Sequence, residues 1–257
     1  MIEWNDIPFR IARMTGAGPF VLVCEHASNF IPPVFDGLGL PPDLRRAHIA
    51  WDPGALAVAQ AMSARLDAPL ISGEISRLVY DCNRPPEAAD AVPEVSEVYD
   101  IPGNRGLSPE ALQARAEKVY HPFHAAVSRL IETRSEPPVL VTLHSFTPVY
   151  RGVRRAVELG ILHDSDARMA DAMLAGAGAA GRAALTVRRN QPYGPEDGVT
   201  HMLRRHGLSR GLLNVMIEIR NDLIQDADSQ TAMAALLAGW VAEAAAACRK
   251  TAGEGAA

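Results

Sequence analysis

The stretch Val139-Leu140-Val141-Thr142-Leu143-His144-Ser145 is an apolar run that ends in a histidine. Apolar residues at consecutive positions predict a strand buried on both faces, the signature of a parallel sheet covered by helices. A strand that ends in an imidazole delivers it to the rim of the sheet, where α/β enzymes place their chemistry. Phe20-Val21-Leu22-Val23-Cys24-Glu25-His26 repeats the pattern far away in sequence. A third run, Leu213-Asn214-Val215-Met216-Ile217-Glu218-Ile219-Arg220, carries a carboxylate near its end. Two imidazoles and a carboxylate at strand ends are the usual parts of a hydrolytic zinc centre.

Working outward, further strands are expected at 69–71, 76–80, 159–162 and 184–187. Residues 54–66 are Ala-rich with apolar positions at helical spacing, and 166–174 and 229–248 also read as helices. Ser108-Pro109-Glu110 is a helix start: a hydroxyl cap, a proline in the first turn, then an acid near the positive end of the dipole. Leu112, Ala116, Val119, Phe123, Val127 and Leu130 continue that helix, with a kink expected at Pro122. Residues 31–42, 85–106 and 175–181 read as loops, and a loop as long as 85–106 is often functional. Strand and helix alternate, which implies an α/β fold: three layers, α/β/α, around a mostly parallel central sheet. No repeat or linker divides the chain, so 1–257 is expected to form a single domain with a frayed tail from about 251.

The bulk properties narrow the function. A formal charge of −5 argues against a general nucleic-acid binder. Cys24, Cys82 and Cys248 lack the spacing of a thiolate zinc site or a disulfide framework. The first residues lack the basic and apolar regions of a signal peptide, and no uninterrupted apolar stretch is long enough to span a bilayer. The expected setting is a reducing, cytoplasmic one with no membrane partner. There is no Gly-x-Ser-x-Gly elbow, phosphate loop, His-Glu-x-x-His or dinucleotide fingerprint.

A lone histidine in a loop is more often a hydrogen-bonded structural residue than a ligand. The matched strand-end positions of His26 and His144 favour metal ligation for the pair. A hydrolytic zinc site usually has three protein ligands and one open position. Glu25 adjoins His26, but neighbours in an extended chain point to opposite sides, and Asn29 stands where a His-x-x-Glu pair would have its acid. Asp52 in Ala50-Trp51-Asp52-Pro53-Gly54 is the favoured third ligand, with a helix cap as its plain alternative and Asp81 as its competitor. Period-two geometry puts Glu218 and Arg220 on one face of their strand, away from Ile217 and Ile219. A buried carboxylate needs a partner or a task. Glu218 is either ion-paired or the general base that takes a proton from water and passes it to a leaving nitrogen.

Arg77, Asn83 and Arg84 cluster in Ser76-Arg77-Leu78-Val79-Tyr80-Asp81-Cys82-Asn83-Arg84-Pro85. An arginine fork binds a carboxylate through two N–H groups, and Asn83 can add a directed amide bond. Surface salt bridges are the plain alternative. Tyr193, in Asn190-Gln191-Pro192-Tyr193-Gly194, is placed over the pocket, or else in a turn held by Pro192 and Gly194. Tyr193 and Arg220 are counted with the substrate-binding residues. His121 and His124 are taken as surface or structural.

These segments together resemble the N-formylglutamate amidohydrolase family, over roughly residues 20–245. They are Cys24-Glu25-His26-Ala27-Ser28-Asn29, Ile49-Ala50-Trp51-Asp52, Ser76 through Pro85, Thr142-Leu143-His144-Ser145-Phe146, Asn190 through Gly194, and Ile217-Glu218-Ile219-Arg220. The family is distantly similar to zinc carboxypeptidases and aspartoacylase-type deacylases. The resemblance implies a phosphorylase/hydrolase-like fold, one catalytic Zn2+ (or another divalent ion), and a place in amino-acid catabolism. It implies zinc ligation by His26 and His144, substrate-carboxylate binding by Asn83 and Arg84, oxyanion stabilisation by Arg77, and a general base in Glu218. The family usually reads Pro-His-Ser-Gly where this chain has Glu25-His26-Ala27-Ser28, and has an acid where this chain has Ala50. The exact N-acyl amino acid is therefore left open. The expected partner is a small-molecule N-acyl amino acid, and the sequence does not give the oligomeric state. A carboxypeptidase-like peptidase would need a large open cleft. A non-catalytic binding module would place His26 and His144 far apart.

Overall fold

The computed structural model describes residue 4 and residues 6–179 and 181–254. The strands are β1 (Phe9–Ala12), β2 (Phe20–Cys24), β3 (Leu70–Gly73), β4 (Val95–Ser96), β5 (Tyr99–Asp100), β6 (Val139–Phe146), β7 (Val149–Tyr150), β8 (Val153–Arg154), β9 (Leu159–Leu162), β10 (Val187–Arg189) and β11 (Asn214–Arg220). The helices are α1 (Pro42–Arg46), α2 (Ala55–Leu66), α3 (Pro109–Arg115), α4 (His121–Glu132), α5 (Arg168–Ala175) and α6 (Ala227–Glu254).

The main sheet runs in the order β1-β3-β2-β6-β11-β9-β10. Its centre, β3-β2-β6-β11, is parallel throughout, and β10 pairs parallel with β9. Within this sheet the β1–β3 and β9–β11 pairings are antiparallel. Side chains alternate across it as period-two geometry requires. Val21, Val23, Leu140 and Met216 share one core with Phe123 and Val127 of α4. Leu22, Val141, Leu143, Val215 and Ile217 share the other with α2, α5 and α6. Both faces are thus apolar and both are covered, which is why β2, β6 and β11 lack a polar alternation along most of their length. The result is the expected three-layer α/β/α arrangement.

The register positions the site. Glu218 of β11 lies directly beside His144 of β6. The parallel central strands all end on the same side, so the polar residues at their ends gather along one edge. Helix α6 is long and apolar enough to cross a membrane by length and composition. Its Met233, Leu237, Trp240 and Val241 instead pack into the core under the sheet.

Several expectations change. Residues 76–80 form a turn rather than a strand, because the Ser76 hydroxyl donates to the Ala50 carbonyl and accepts the Leu78 N–H. The strand expected at 184–187 begins only at Val187, and β1 has no counterpart in the sequence reading. Strand β6 continues past His144 to Phe146, so the imidazole lies within the strand near its end. A π-helical turn at Ala116–Tyr120 comes just before Pro122, whose missing N–H fits that irregularity. The tail expected to fray from about 251 is helical to Glu254, and 255–257 lie outside the described residues.

Candidate functional site

Strand β2 ends at Cys24, and His26 follows it within the turn beyond. The Asp52 N–H donates to the His26 carbonyl at 2.9 Å, which ties the approach to α2 onto the end of β2. Helix α2 starts after Gly54, whose φ is 81°, and no side chain caps it. A Cβ at Gly54 would meet the Ile224 carbonyl oxygen at 2.5 Å. The Asp52 carboxylate is therefore not used as a helix cap. It turns inward to the histidines.

Asp52 Oδ2 lies 3.4 Å from His26 Nδ1 and 2.9 Å from His144 Nδ1. The two rings are 4.9 Å apart, centroid to centroid, which removes the separation that a non-catalytic binding module requires. Each ring turns its other nitrogen to a further carboxylate. His26 Nε2 is 2.7 Å from Asp81 Oδ1, and His144 Nε2 is 3.2 Å from Glu25 Oε2. His26, Asp52 and His144 offer three ligand atoms within 4.8 Å of one another and could hold a metal ion. A tetrahedral ion with bonds of about 2.0–2.1 Å sets its ligands roughly 3.3 Å apart. The two spacings to Asp52, 3.4 and 2.9 Å, lie close to that requirement. The burial fits it too: His26 Nδ1, both Glu25 oxygens and Glu218 Oε2 are buried without a hydrogen-bond partner. Buried polar atoms rarely stay unpaired without a reason.

The electrostatics follow from burial and charge. Burial pushes the Glu218 carboxyl up to about 7, Asp52 repels its charge, and His144, His26 and Arg77 oppose that rise. Burial opposes the charged form of Asp81, yet His26 and Arg77 beside it hold it well below the usual carboxylate range. Burial likewise opposes the His144 imidazolium, but Glu25 and Asp52 outweigh it and raise the pKa. Burial and the nearby Glu218 push the Tyr193 phenol up to about 12.

These groups face a cavity of about 340 Å3. His26, Asp52, Arg77, Asp81, Asn83, Arg84, His144, Tyr193 and Glu218 all line it, so the structure brings together nine residues singled out in the sequence. They are engaged in different ways. Arg77 Nη2 donates to Asp81 Oδ2 at 2.8 Å, and Nη1 lies 3.5 Å from Asp52 Oδ1. Asn83, expected to bond substrate, spends its amide on the chain: Nδ2 donates to the Val199 carbonyl, and Oδ1 accepts the Met202 N–H. Arg84 Nε donates to Asp90 at 2.6 Å, and its other donors reach the carbonyls of Asn83, Asp197 and Gly198. Arg220 does not line the cavity. Its guanidinium is held by Asp222, Glu158 and the carbonyls of Arg155 and Val157.

Sequence reasoning gives Glu25 no role and passes over Gly160. Glu25 continues the alternation of Val21 and Val23, the face from which His144 projects beside it, so strand periodicity carries the signal for it. Gly160 pairs with Glu218 across β9 and β11. A Cβ there would lie 2.0 Å from the Gln191 carbonyl oxygen. Its bare backbone lets the 190–193 segment pass closely enough to carry Tyr193 to the cavity.

A model of the N-formylglutamate amidohydrolase family matches residues 18–225. A solved gene product of Agrobacterium tumefaciens is 53% identical, with a TM-score of 0.91, over 94% of this chain and 96% of that one. The N-formylglutamate amidohydrolase of Ralstonia eutropha is 20% identical, with a TM-score of 0.65, over 96% of this chain and 100% of that one, a likeness of fold. No curated protein matches.

Proposed function

Because the chain belongs to the N-formylglutamate amidohydrolase family, we propose that it is a zinc-dependent hydrolase of the acyl amide in an N-formyl or other short N-acyl amino acid. One observation carries the reading. Two imidazoles turn the same nitrogen to one carboxylate oxygen, and the buried Glu218 lies beside one of them in register. Zinc is held by His26, Asp52 and His144 in this reading. Asp81 orients the His26 ring through its far nitrogen, the usual role of a carboxylate behind a metal-bound histidine, while Glu25 lies near the far nitrogen of His144 as a negative charge. Bound there, the ion would supply a Lewis acid for the acyl carbonyl and a water made acidic near pH 7.

The protein's own residues do the rest. Glu218 takes a proton from the attacking water as the new C–O bond forms. It then gives that proton to the nitrogen as the C–N bond breaks. A pKa near 7 suits both transfers. Arg77 turns N–H groups toward the oxygen where negative charge develops. Its pairing with Asp81 and Asp52 holds it in place beforehand. Arg84 takes the substrate carboxylate by exchanging it for Asp90. Asn83 serves Arg84 indirectly, by stitching the 81–84 turn to Val199 and Met202. Tyr193 covers the cavity. A volume of about 340 Å3 suits a small amide better than a peptide end. A cytoplasmic setting is part of the proposal, and all three cysteines are free.

The test is metal analysis of the purified protein with a screen of N-formyl and N-acetyl amino acids. Stoichiometric zinc and turnover of at least one N-acyl amino acid are expected. A different divalent ion would change the metal and keep the reaction. Metal-free protein with no turnover after zinc addition would overturn the reading.

A further inference from the structure

Four arginines stand around the cavity or against its walls, and three are already answered by carboxylates. Arg77 pairs with Asp81 and Asp52, Arg84 with Asp90, and Arg220 with Glu158 and Asp222. Arg155, at the foot of the β7–β8 hairpin, differs. Among the described residues, no acidic side chain comes within 4.0 Å of its guanidinium. Its Nη1 donates to the Thr147 carbonyl at 3.4 Å, a long bond.

Aromatic rings hold this charge in place. The guanidinium carbon lies 4.5 Å from the Tyr150 ring centroid, 4.9 Å from that of Tyr193 and 5.5 Å from that of Phe146. All three rings line the cavity. Cations at these distances are attracted by the ring faces. Rings over the faces of a planar guanidinium leave its N–H groups pointing along the edges. An arginine stays charged, and its fork matches a carboxylate. Arg155 does not itself line the cavity; it is a partly buried cation with unspent donors, set behind the three rings that do.

We propose that Arg155 is a specificity-determining residue that binds the second acid of a dicarboxylic substrate, the side-chain carboxylate, while Arg84 holds the first. The assignment rests on the amidohydrolase reading above. A one-acid substrate answers Arg84 and leaves Arg155 unpaired. A two-acid substrate answers both. Tyr193 links Arg155 to the reacting centre. Its ring carries the Arg155 guanidinium at 4.9 Å and lines the same cavity as Glu218. Tyr193 would orient the distal carboxylate from the same wall. The plain alternative is that Arg155 only pins the hairpin by stacking on its rings.

The experiment compares N-formylglutamate with N-formylglutamine, which has a similar shape and lacks the second charge. Wild type, Arg155→Ala and Arg155→Lys are assayed with the metal they carry as purified. In parallel, calorimetry measures the binding of L-glutamate and L-glutamine. Wild type is expected to prefer the diacid. Arg155→Ala should lower kcat/KM for the diacid by roughly 10- to 100-fold, mostly through KM, and leave the glutamine analogue within about twofold. Arg155→Lys should recover part of the loss, because an ammonium keeps the charge and loses the fork. Equal losses on both substrates, with a lower Tm, would overturn the proposal in favour of the bracing role. So would a wild type that does not distinguish them. If neither compound is turned over, the amidohydrolase reading is in question and binding still decides this one. A glutamate preference that Arg155→Ala abolishes supports it, and the absence of any preference overturns it.

Discussion

Replacing Glu218 by glutamine separates catalysis from stability, because the two readings of this residue predict opposite signs. The residue is 5% exposed, and its pKa is raised from the ordinary 4.5 to about 7. A raised pKa means that the folded protein favours the protonated form. That stabilisation is fully present below pH 4.5 and is lost as the pH rises through about 7. The shift corresponds to about 3 kcal/mol of lost stability above pH 7. Glutamine keeps the shape and never ionises. In protein stripped by a chelator, Glu218→Gln should match the wild type near pH 4.5 and be the more stable by up to about 3 kcal/mol at pH 8, read by urea denaturation. In metal-loaded protein the same change should lower kcat by roughly 10²- to 10⁴-fold with zinc retained. The wild-type kcat/KM should fall as the pH drops through the Glu218 pKa, since the base must be ionised. A glutamine variant less stable than wild type at pH 8, with activity largely kept, would refute this reasoning. Glu218 would then be an ion-pair partner rather than a base.

Three other outcomes follow from the geometry. His26→Ala and His144→Ala should each abolish stoichiometric zinc. Asp52→Asn should do the same, while Asp81→Asn should only weaken the metal by about 10- to 100-fold, in competition against a chelator; the reverse order would make Asp81 the ligand. Asp90→Ala should lower KM for carboxylate substrates by freeing Arg84, and a raised KM would mean that Asp90 holds Arg84 in its working position instead. Gly160→Ala should cut activity by roughly tenfold or more, because the new Cβ meets the Gln191 carbonyl and displaces the segment that carries Tyr193; unchanged kinetics would separate Tyr193 from the reaction.

What the sequence makes legible is whatever local pattern controls. Strands β2, β6 and β11 declare themselves because both faces of the sheet are apolar. His26, His144 and Glu218 stand out because they interrupt those runs at matching ends. The turn at 76–80 reads as a strand because Leu78, Val79 and Tyr80 are buried like strand residues while the Ser76 hydroxyl bends the backbone. The engagement of Asn83 and Arg220 is hidden for a different reason. Their partners, Val199 and Met202 for one and Glu158 for the other, lie far away in sequence, so no local pattern reveals that their donors are taken. The choice between Asp52 and Asp81 likewise depends on which nitrogen of each ring faces which acid, a tertiary detail.

The order of strands across the sheet also has a temporal meaning. His26 after the end of β2, Asp52 before α2 and His144 of β6 are all synthesised by residue 144, whereas β11, which brings Glu218, pairs against the edge of β6 only much later. Chains emerge from the ribosome N-terminus first, at about 5–20 residues per second. In the proposed reading, a nascent chain would therefore possess His26, Asp52 and His144 for seconds before Glu218 exists. An ion captured in that interval would cross-link β2 to β6 and template the edge on which β11 docks, so metal supply during translation would govern the yield of folded protein as well as its activity.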